Sequence, residues 1–163
     1  MPVFESPVGP LTIRVNDDGA LEEIRFGAPG IRHPASEEQS RMPDAGCRIV
    51  IEQLNEYFAG TRREFDLPLA PRGTAFQLAC WNELQRIAYG TTISYSELAR
   101  RIAKPNAVRA VGAANGANPI PIIIPCHRVI GANGTLTGYG GGLHIKRALL
   151  ALEQPQRTLL ETA

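Results

Sequence analysis

A proline-stiffened apolar segment carries the residues with the greatest chemical potential in this chain. It ends in Cys126, which His127 and Arg128 follow immediately, and prolines stand at positions 119, 121 and 125. On residue type alone, a cysteine in an apolar segment is an inert small hydrophobic group. A cationic neighbour or a general base, however, lowers the pKa of a thiol, and the thiolate is the nucleophile. His127 and Arg128 therefore favour Cys126 as a candidate nucleophile.

The other two cysteines, Cys47 and Cys80, lie far from Cys126 in the sequence, and the total of three is odd. This pattern excludes a disulfide framework, and no C-x-x-C pair indicates a zinc site. The most apolar stretch, residues 120–124, is too short to cross a membrane. The N-terminus has no basic region followed by an apolar core, so we expect no signal peptide. A reduced, metal-free, cytoplasmic protein fits these features best.

The first part of the chain is predicted to contain a small antiparallel sheet. Residues 11–15 and 21–26 carry apolar stripes separated by the turn formers N-D-D-G, and Val3 and Phe4 precede them. A loop is expected over residues 27–46, a helix over 48–58 and a further short strand over 65–67. Pro68 and Pro71 then mark a boundary. The predicted fold is α+β, with an N-terminal α/β domain over 1–71 and a mostly helical domain over 72–163.

The second part is predicted to contain a helix-turn-helix. Thr74 can cap a helix that runs to about residue 87, with Ala79 among the side chains facing inward. The S-x-x-E pattern of residues 94–97 is a capping box for a short helix that ends before Lys104. Asn106 can cap a second helix through about residue 115, after a three-residue turn.

The second of these helices consists mostly of small residues, and one long side chain, Arg109, projects from its start. Small side chains let a helix approach another surface closely. That surface is either the protein's own core or a nucleic-acid groove, and the pattern by itself favours the core.

The charge is distributed unevenly along the chain. Residues 1–85 carry 8 Lys and Arg against 13 Asp and Glu, whereas residues 86–147 carry 8 against the single acid Glu97. A basic middle segment in a protein of net charge +1 is expected when the partner is a polyanion, because Lys and Arg release counterions from phosphates. A basic solvated face without a partner is the alternative.

The pentapeptide P-C-H-R-V at residues 125–129 resembles the active-site signature of the O6-alkylguanine-DNA alkyltransferases. The resemblance continues in order through E-Y-F-A-G (56–60), R-G-T-x-F-Q (72–77), I-S-Y (93–95), R-A-V-G (109–112), N-P (118–119), G-Y (138–139) and L-L-x-x-E (149–153). It covers most of the chain at family spacings. It implies direct-reversal DNA repair: the irreversible, stoichiometric transfer of an alkyl group from O6-alkylguanine to the protein's own cysteine, with O4-alkylthymine as a further candidate substrate.

The resemblance also implies catalytic roles. Cys126 is expected to accept the alkyl group, and His127 to exchange the thiol proton through a bridging water. Glu153 is expected to hold the other imidazole nitrogen, as in a hydrolase triad. Asn118 is expected to brace the turn before the cysteine segment, and Tyr95 to donate a hydrogen bond to the guanine. Taken alone, Glu153 could equally be a solvated helix-end carboxylate and Tyr95 a core aromatic.

The implied partner is double-stranded DNA containing O6-alkylguanine, bound through its minor groove with the target base flipped out. Arg109 is expected to take the place of the flipped base. The remaining expected DNA contacts are Ala107, Ala110, Gly112, Ala113, Tyr95 and Arg128, and the expected base pocket is Tyr139, Gly140 and Val129. No cofactor, metal or membrane is implied, and a monomer is expected.

Three other classes of function compete with this interpretation. A lesion-binding relative would flip the base without transferring the alkyl group, but such relatives lack the acceptor cysteine. A helix-turn-helix regulator would show sequence preference and no covalent change. A cysteine hydrolase would turn over an activated ester catalytically.

Overall fold

The computed structural model describes residues 2–27, 45–136 and 138–154. The chain divides into two compact units, Met1–Arg72 and Gly73–Ala163. The fold class predicted from the sequence, α+β, is confirmed. Within the described ranges, no helix is both long enough and apolar enough to cross a membrane.

The first unit is a three-stranded antiparallel sheet with one helix. Strands β1 (Val3–Ser6), β2 (Gly9–Val15) and β3 (Leu21–Phe26) lie in that order in the sheet. Helix α1 (Ala45–Phe58) packs on β2 and buries Val50, Leu54 and Tyr57. The sheet contributes Leu11, Ile13, Leu21 and Ile24 to the same core. Most of the loop predicted over residues 27–46 lies outside the described residues.

The strand predicted over residues 65–67 is wrong. The Gln53 side chain binds both backbone groups of Asp66, accepting from its N–H and donating to its carbonyl, each at 2.9 Å. Those groups are therefore satisfied without a neighbouring strand. Sheet-like pairing occurs further on, as a single parallel bridge between Leu69 and Leu21.

The second unit begins with helix α2 (Ala75–Leu84), which Thr74 caps as predicted. The Thr74 hydroxyl accepts from the Gln77 N–H, and the Gln77 side chain returns to the Thr74 N–H, so the capping box is complete. Ala79 is exposed rather than inward-facing, whereas Trp81 is buried and donates from its indole N–H to the Ala114 carbonyl at 2.8 Å.

Strand β4 (Ile93–Ser94) leads into helix α3 (Tyr95–Arg101), which Ser94 caps through the Glu97 N–H. Helix α3 ends in a Schellman motif, in which the Lys104 N–H bonds the Ala99 carbonyl and Ala103 adopts a φ of +60°.

Helix α4 (Val108–Gly116) follows after a further turn, so six residues separate the two helices rather than three. The residue at the N-cap of α4 is Ala107, which makes no side-chain capping bond, and the predicted cap by Asn106 is wrong.

Two further elements were not predicted from the sequence. Strand β5 (Val129–Ile130) pairs in parallel with β4, which places Ile93 opposite Val129. Helix α5 (Leu143–Glu153) packs against the 3-10 turn Cys126–Arg128. These two contacts hold the cysteine segment from both sides within the second unit.

Candidate active site

The segment that presents Cys126 is buried and bent in two places. Residues 120–129 are all buried. Ile122 has a φ of +74°, a conformation that a β-branched residue adopts only when its surroundings enforce it. Pro125 (φ −80°, ψ 67°) forms the centre of an inverse γ-turn, closed by the Cys126 N–H on the Ile124 carbonyl at 2.8 Å. Cys126 then opens the 3-10 turn.

Asn118 supports this bend with both ends of its side chain. Its Nδ2 donates to the Ile124 carbonyl at 2.7 Å, and its Oδ1 accepts from the Ile120 N–H at 2.9 Å. The side chain therefore joins the start of the segment to the residue two positions before the cysteine.

Glu153 lies at the centre of a buried cluster. Its Oε2 is 2.7 Å from Nε2 of His127, and its Oε1 accepts from Nε of Arg128 at 2.8 Å. A further bond joins Nη2 of Arg128 to Oε2 at 3.1 Å, and Nη1 of Arg128 donates to the Ile87 carbonyl at 2.7 Å. All three side chains are buried. The carboxylate is thus compensated by a bidentate guanidinium and an imidazole.

This cluster sets the protonation of its members. Burial by itself opposes ionisation of Glu153, but hydrogen bonds and charges from His127 and Arg128 outweigh it and lower its pKa to about 2. Burial also lowers the pKa of His127, and the neighbouring Glu153 carboxylate only partly opposes this. His127 is therefore a neutral imidazole at neutral pH. Its Nε2 bears the proton that Glu153 accepts, which leaves Nδ1 as the basic nitrogen.

Cys126 is 5% exposed, and burial raises the pKa of its thiol. The amide of Asn118, the charge of Lys146 and the phenol of Tyr139 favour the thiolate and act in the opposite direction. The expectation that Arg128 favours the thiolate is wrong, because the Arg128 guanidinium is bound to Glu153 and Ile87. Lys146 is the cation that acts on the sulfur.

Lys146 was not among the residues predicted from the sequence. It is fully buried on α5, and its Nζ donates to the Val129 carbonyl at 2.7 Å. Burial lowers the pKa of Lys146, while Cys126 acts to raise it. Together with Ile145, Leu149 and Glu153 it forms the buried face of α5. The sequence signal was a lysine within an apolar helical stripe, seven residues before Glu153.

The remaining predicted pocket residues differ in their burial and contacts. Tyr139 is half-buried and its phenol favours the thiolate of Cys126, and the Val129 carbonyl accepts from Nζ of Lys146. Gly140 is exposed. Tyr95 opens α3, and a Cβ at Gly112 would lie 3.9 Å from its ring, so Tyr95 packs beside α4.

Helix α4 has two distinct faces. Val111, Ala114 and Asn115 are buried, whereas Arg109, Ala110 and Ala113 are exposed. The sequence left open whether the small residues of this helix pack on the core or form an open surface. Both occur, on opposite sides of the helix. Ala107 and Gly112 are half-buried between them.

Arg128 does not lie on this exposed surface. It is 6% exposed and its guanidinium is engaged in the Glu153 cluster. Its predicted role as a DNA contact is therefore replaced by a role in supporting Glu153. Within the described ranges, no group of three His, Cys, Asp or Glu side chains is placed to hold a metal ion.

Comparisons with known proteins cover both units. Residues 2–71 match the family model described as 6-O-methylguanine DNA methyltransferase, ribonuclease-like domain. Residues 75–155 match the model described as 6-O-methylguanine DNA methyltransferase, DNA binding domain. Between them, the two models account for almost the whole chain.

Individual relatives agree over nearly their full lengths. A methylated-DNA–protein-cysteine methyltransferase of Methanosarcina acetivorans is 49% identical over 153 residues, which is 93% of this chain and 96% of the relative. One from Mycobacterium bovis is 51% identical over 155 residues, or 93% and 90% of the two chains. The crystal structure of Mycobacterium tuberculosis OGT in complex with DNA superposes with a TM-score of 0.82 at 48% identity, covering 95% of this chain and 92% of that one.

Replacing Glu153 with glutamine is expected to destabilise the protein in a pH-dependent way. The variant leaves the buried Arg128 without its counter-charge, which costs about 3–5 kcal/mol of unfolding free energy near neutral pH. The folded-state pKa of Glu153, about 2, lies below its usual 4.5. The contribution of the Glu153 carboxylate to the free energy of unfolding is therefore complete above pH 4.5 and is lost as the pH falls towards 2. Urea unfolding should therefore show a smaller difference in unfolding free energy between wild type and variant at pH 3 than at pH 6.

The matched control is Glu52→Gln, which changes an exposed carboxylate on α1. It should leave the unfolding free energy within about 0.5 kcal/mol of wild type. A Glu153→Gln loss of that same small size, or a gap that is equal at both pH values, would contradict the assigned role of Glu153.

Proposed function

The chain belongs to the 6-O-methylguanine DNA methyltransferase family, and we propose that Cys126 is the cysteine that accepts the alkyl group. Its activity is that of a methylated-DNA–protein-cysteine methyltransferase, which repairs DNA directly by alkyl transfer to a cysteine of its own. Burial alone raises the pKa of Cys80, whereas a cation, a phenol and an amide all favour the thiolate of Cys126. This difference between the surroundings of the two thiols supports Cys126, and not Cys80, as the acceptor.

A proton must leave the thiol as the sulfur attacks. Side chains of adjacent residues diverge, so His127 would receive this proton through a bridging water. Nε2 of His127 is occupied by Glu153, and Nδ1 is buried with no protein hydrogen-bond partner among the described residues. A bridging water would satisfy this buried imidazole nitrogen. Glu153 would then stabilise the imidazolium that forms.

The transfer itself is a displacement at the alkyl carbon. The sulfur–carbon bond forms as the carbon–O6 bond breaks, and the bonding electrons pass into the guanine ring. Tyr95 would offset that charge by donating a hydrogen bond from its phenol O–H to N3 of the guanine. Backbone N–H groups near Gly140 would approach the base, and Val129 would line the pocket. The imidazolium would return the thiol proton to solvent, and the repaired guanine, which remains in the DNA, would take up one proton, so charge is balanced.

The product is an S-alkyl thioether, which has no carbonyl for water to attack. A thiolate is also a poor leaving group from an unactivated carbon. No residue of the cluster around Cys126 offers chemistry to reverse the bond. One protein molecule would therefore repair one lesion.

The exposed face of α4 would bind the DNA. Ala110 and Ala113 present little bulk, so the helix can enter the narrow minor groove of double-stranded DNA. Arg109, exposed at the start of the helix, would occupy the space that the flipped guanine leaves. The half-buried Ala107 and Gly112 would allow the backbone to approach closely. The basic composition of residues 86–147 supports this orientation towards phosphates.

The acceptor is tested by mass spectrometry after incubation with an O6-methylguanine duplex. We expect one methyl mass on the peptide that contains Cys126 and none after Cys126→Ala, while Cys80→Ala remains fully reactive. A methyl mass on Cys80 or Cys47 would overturn the assignment. Duplex binding without any mass change would instead indicate a lesion-binding protein.

Arg109→Ala is expected to slow repair of the duplex more than reaction with an isolated O6-benzylguanine base. Only the duplex requires base extrusion, which costs a few kcal/mol, so we expect a loss of about tenfold or more on the duplex alone.

Arg147→Ala, which removes an exposed charge from α5, controls for general electrostatic attraction. Single-turnover rate constants on both substrates provide the comparison. Equal losses on duplex and base, or a duplex loss no larger than that of Arg147→Ala, would contradict the proposed role of Arg109.

A further inference from the structure

We propose that Asn115 is a positioning residue that couples the DNA-binding helix α4 to the backbone of the nucleophile. This inference rests on the roles of α4 and Cys126 proposed above. Asn115 is 3% exposed and lies on the buried face of α4, opposite Arg109 and Ala113.

The Asn115 side chain reaches from α4 to the peptide of the reactive cysteine. Its Nδ2 donates to the Cys126 carbonyl at 3.4 Å, near the long limit for a hydrogen bond. Its Oδ1 is buried and has no hydrogen-bond partner among the described residues. An unsatisfied buried amide oxygen costs about 1–3 kcal/mol, so an apolar side chain of similar size would suit this position better if packing were its only task.

Two further hydrogen bonds contact the end of α4. The Trp81 indole N–H holds the Ala114 carbonyl at 2.8 Å, and the Asn118 N–H bonds the Asn115 carbonyl at 3.4 Å. Asn118 also supports the bend that leads to Cys126. A small displacement of α4 would therefore alter the Asn115 contact, whose length leaves room to shorten. Contact with DNA on the opposite face would in this way tighten the placement of Cys126.

Reaction with the isolated base provides the necessary reference, because that substrate reaches Cys126 without docking α4. Asn115→Leu removes both polar atoms at similar volume. We expect the maximal transfer rate constant on the duplex to fall roughly tenfold, in keeping with the sensitivity of displacement to small misplacements. The dissociation constant for the duplex and the rate on the isolated base should each change by less than about twofold.

Val111→Ala is the matched control, because Val111 is a buried residue of α4 without a bond to Cys126. It should lower the unfolding free energy while changing the two rates by similar factors. If Asn115→Leu also slows both substrates equally, or slows neither, the coupling role is overturned and Asn115 is a packing residue.

Asn115→Asp gives a second, independent measurement. Burial raises the pKa of a carboxyl group, and a protonated carboxyl can donate to the Cys126 carbonyl where an ionised one cannot. The duplex rate relative to wild type should therefore recover as the pH is lowered from 8 to 6. A ratio of variant to wild-type duplex rate that does not change with pH would overturn the proposal. If the leucine variant does not fold, the aspartate variant provides the deciding measurement.

Failure of this inference can be distinguished from failure of the proposed acceptor. Mass spectrometry of the wild type reports the alkylated cysteine in the same samples. If Cys126 is alkylated but Asn115→Leu affects the duplex and the isolated base equally, only the role of Asn115 is overturned. Alkylation of another cysteine removes both.

Discussion

A single buried carboxylate, that of Glu153, determines the geometry around Cys126. A charge out of water is costly unless it is paired and hydrogen-bonded, and Glu153 meets this requirement through His127 and Arg128. These partners flank one another in the 3-10 turn that begins at Cys126, so satisfying the carboxylate also fixes the turn. The guanidinium of Arg128 lies 5.6 Å from the ring centroid of Tyr89, which connects the cluster to the segment after α2. Orientation of the imidazole and placement of the cysteine thus follow from one electrostatic constraint.

The site favours protection of the thiol over its ionisation. Burial raises the pKa of Cys126, so most molecules hold a protonated sulfur that is shielded from solvent. Lys146, Tyr139 and Asn118 nevertheless stabilise the negative charge, and their contributions matter when the proton leaves. A protein that reacts once benefits from this arrangement, because premature oxidation or alkylation of the sulfur would waste the whole molecule. The reactive thiolate is therefore best understood as a species formed during transfer.

The sequence correctly predicted those elements that depend on interactions between residues close together in the chain. The alternation in β2 and β3 and the Thr74 cap depend on neighbouring residues, and both were predicted correctly. The short strand at residues 65–67 failed because Gln53, distant in sequence, satisfies the backbone of Asp66. The connection between α3 and α4 is longer than predicted because α3 closes early with Ala103 at positive φ, which no residue-type rule anticipates. Lys146 was not predicted, and Arg128 was assigned to the surface, for the same reason. The residue type of a charged side chain predicts exposure, because its buried partners cannot be seen in the sequence. The family resemblance predicted which residues would take part in the reaction, and the structure indicates which charges surround them.

Glu153 holds His127 as a neutral imidazole protonated on Nε2, which leaves Nδ1 basic for the thiol proton in the proposed transfer. Nitrogen NMR on protein labelled at histidine, with the signals assigned through His127→Gln, measures this tautomer directly. This arrangement predicts a protonated Nε2 and an unprotonated Nδ1 at pH 7 and above, because burial lowers the pKa of His127. A ring that is protonated on Nδ1, or on both nitrogens at pH 7, would contradict it.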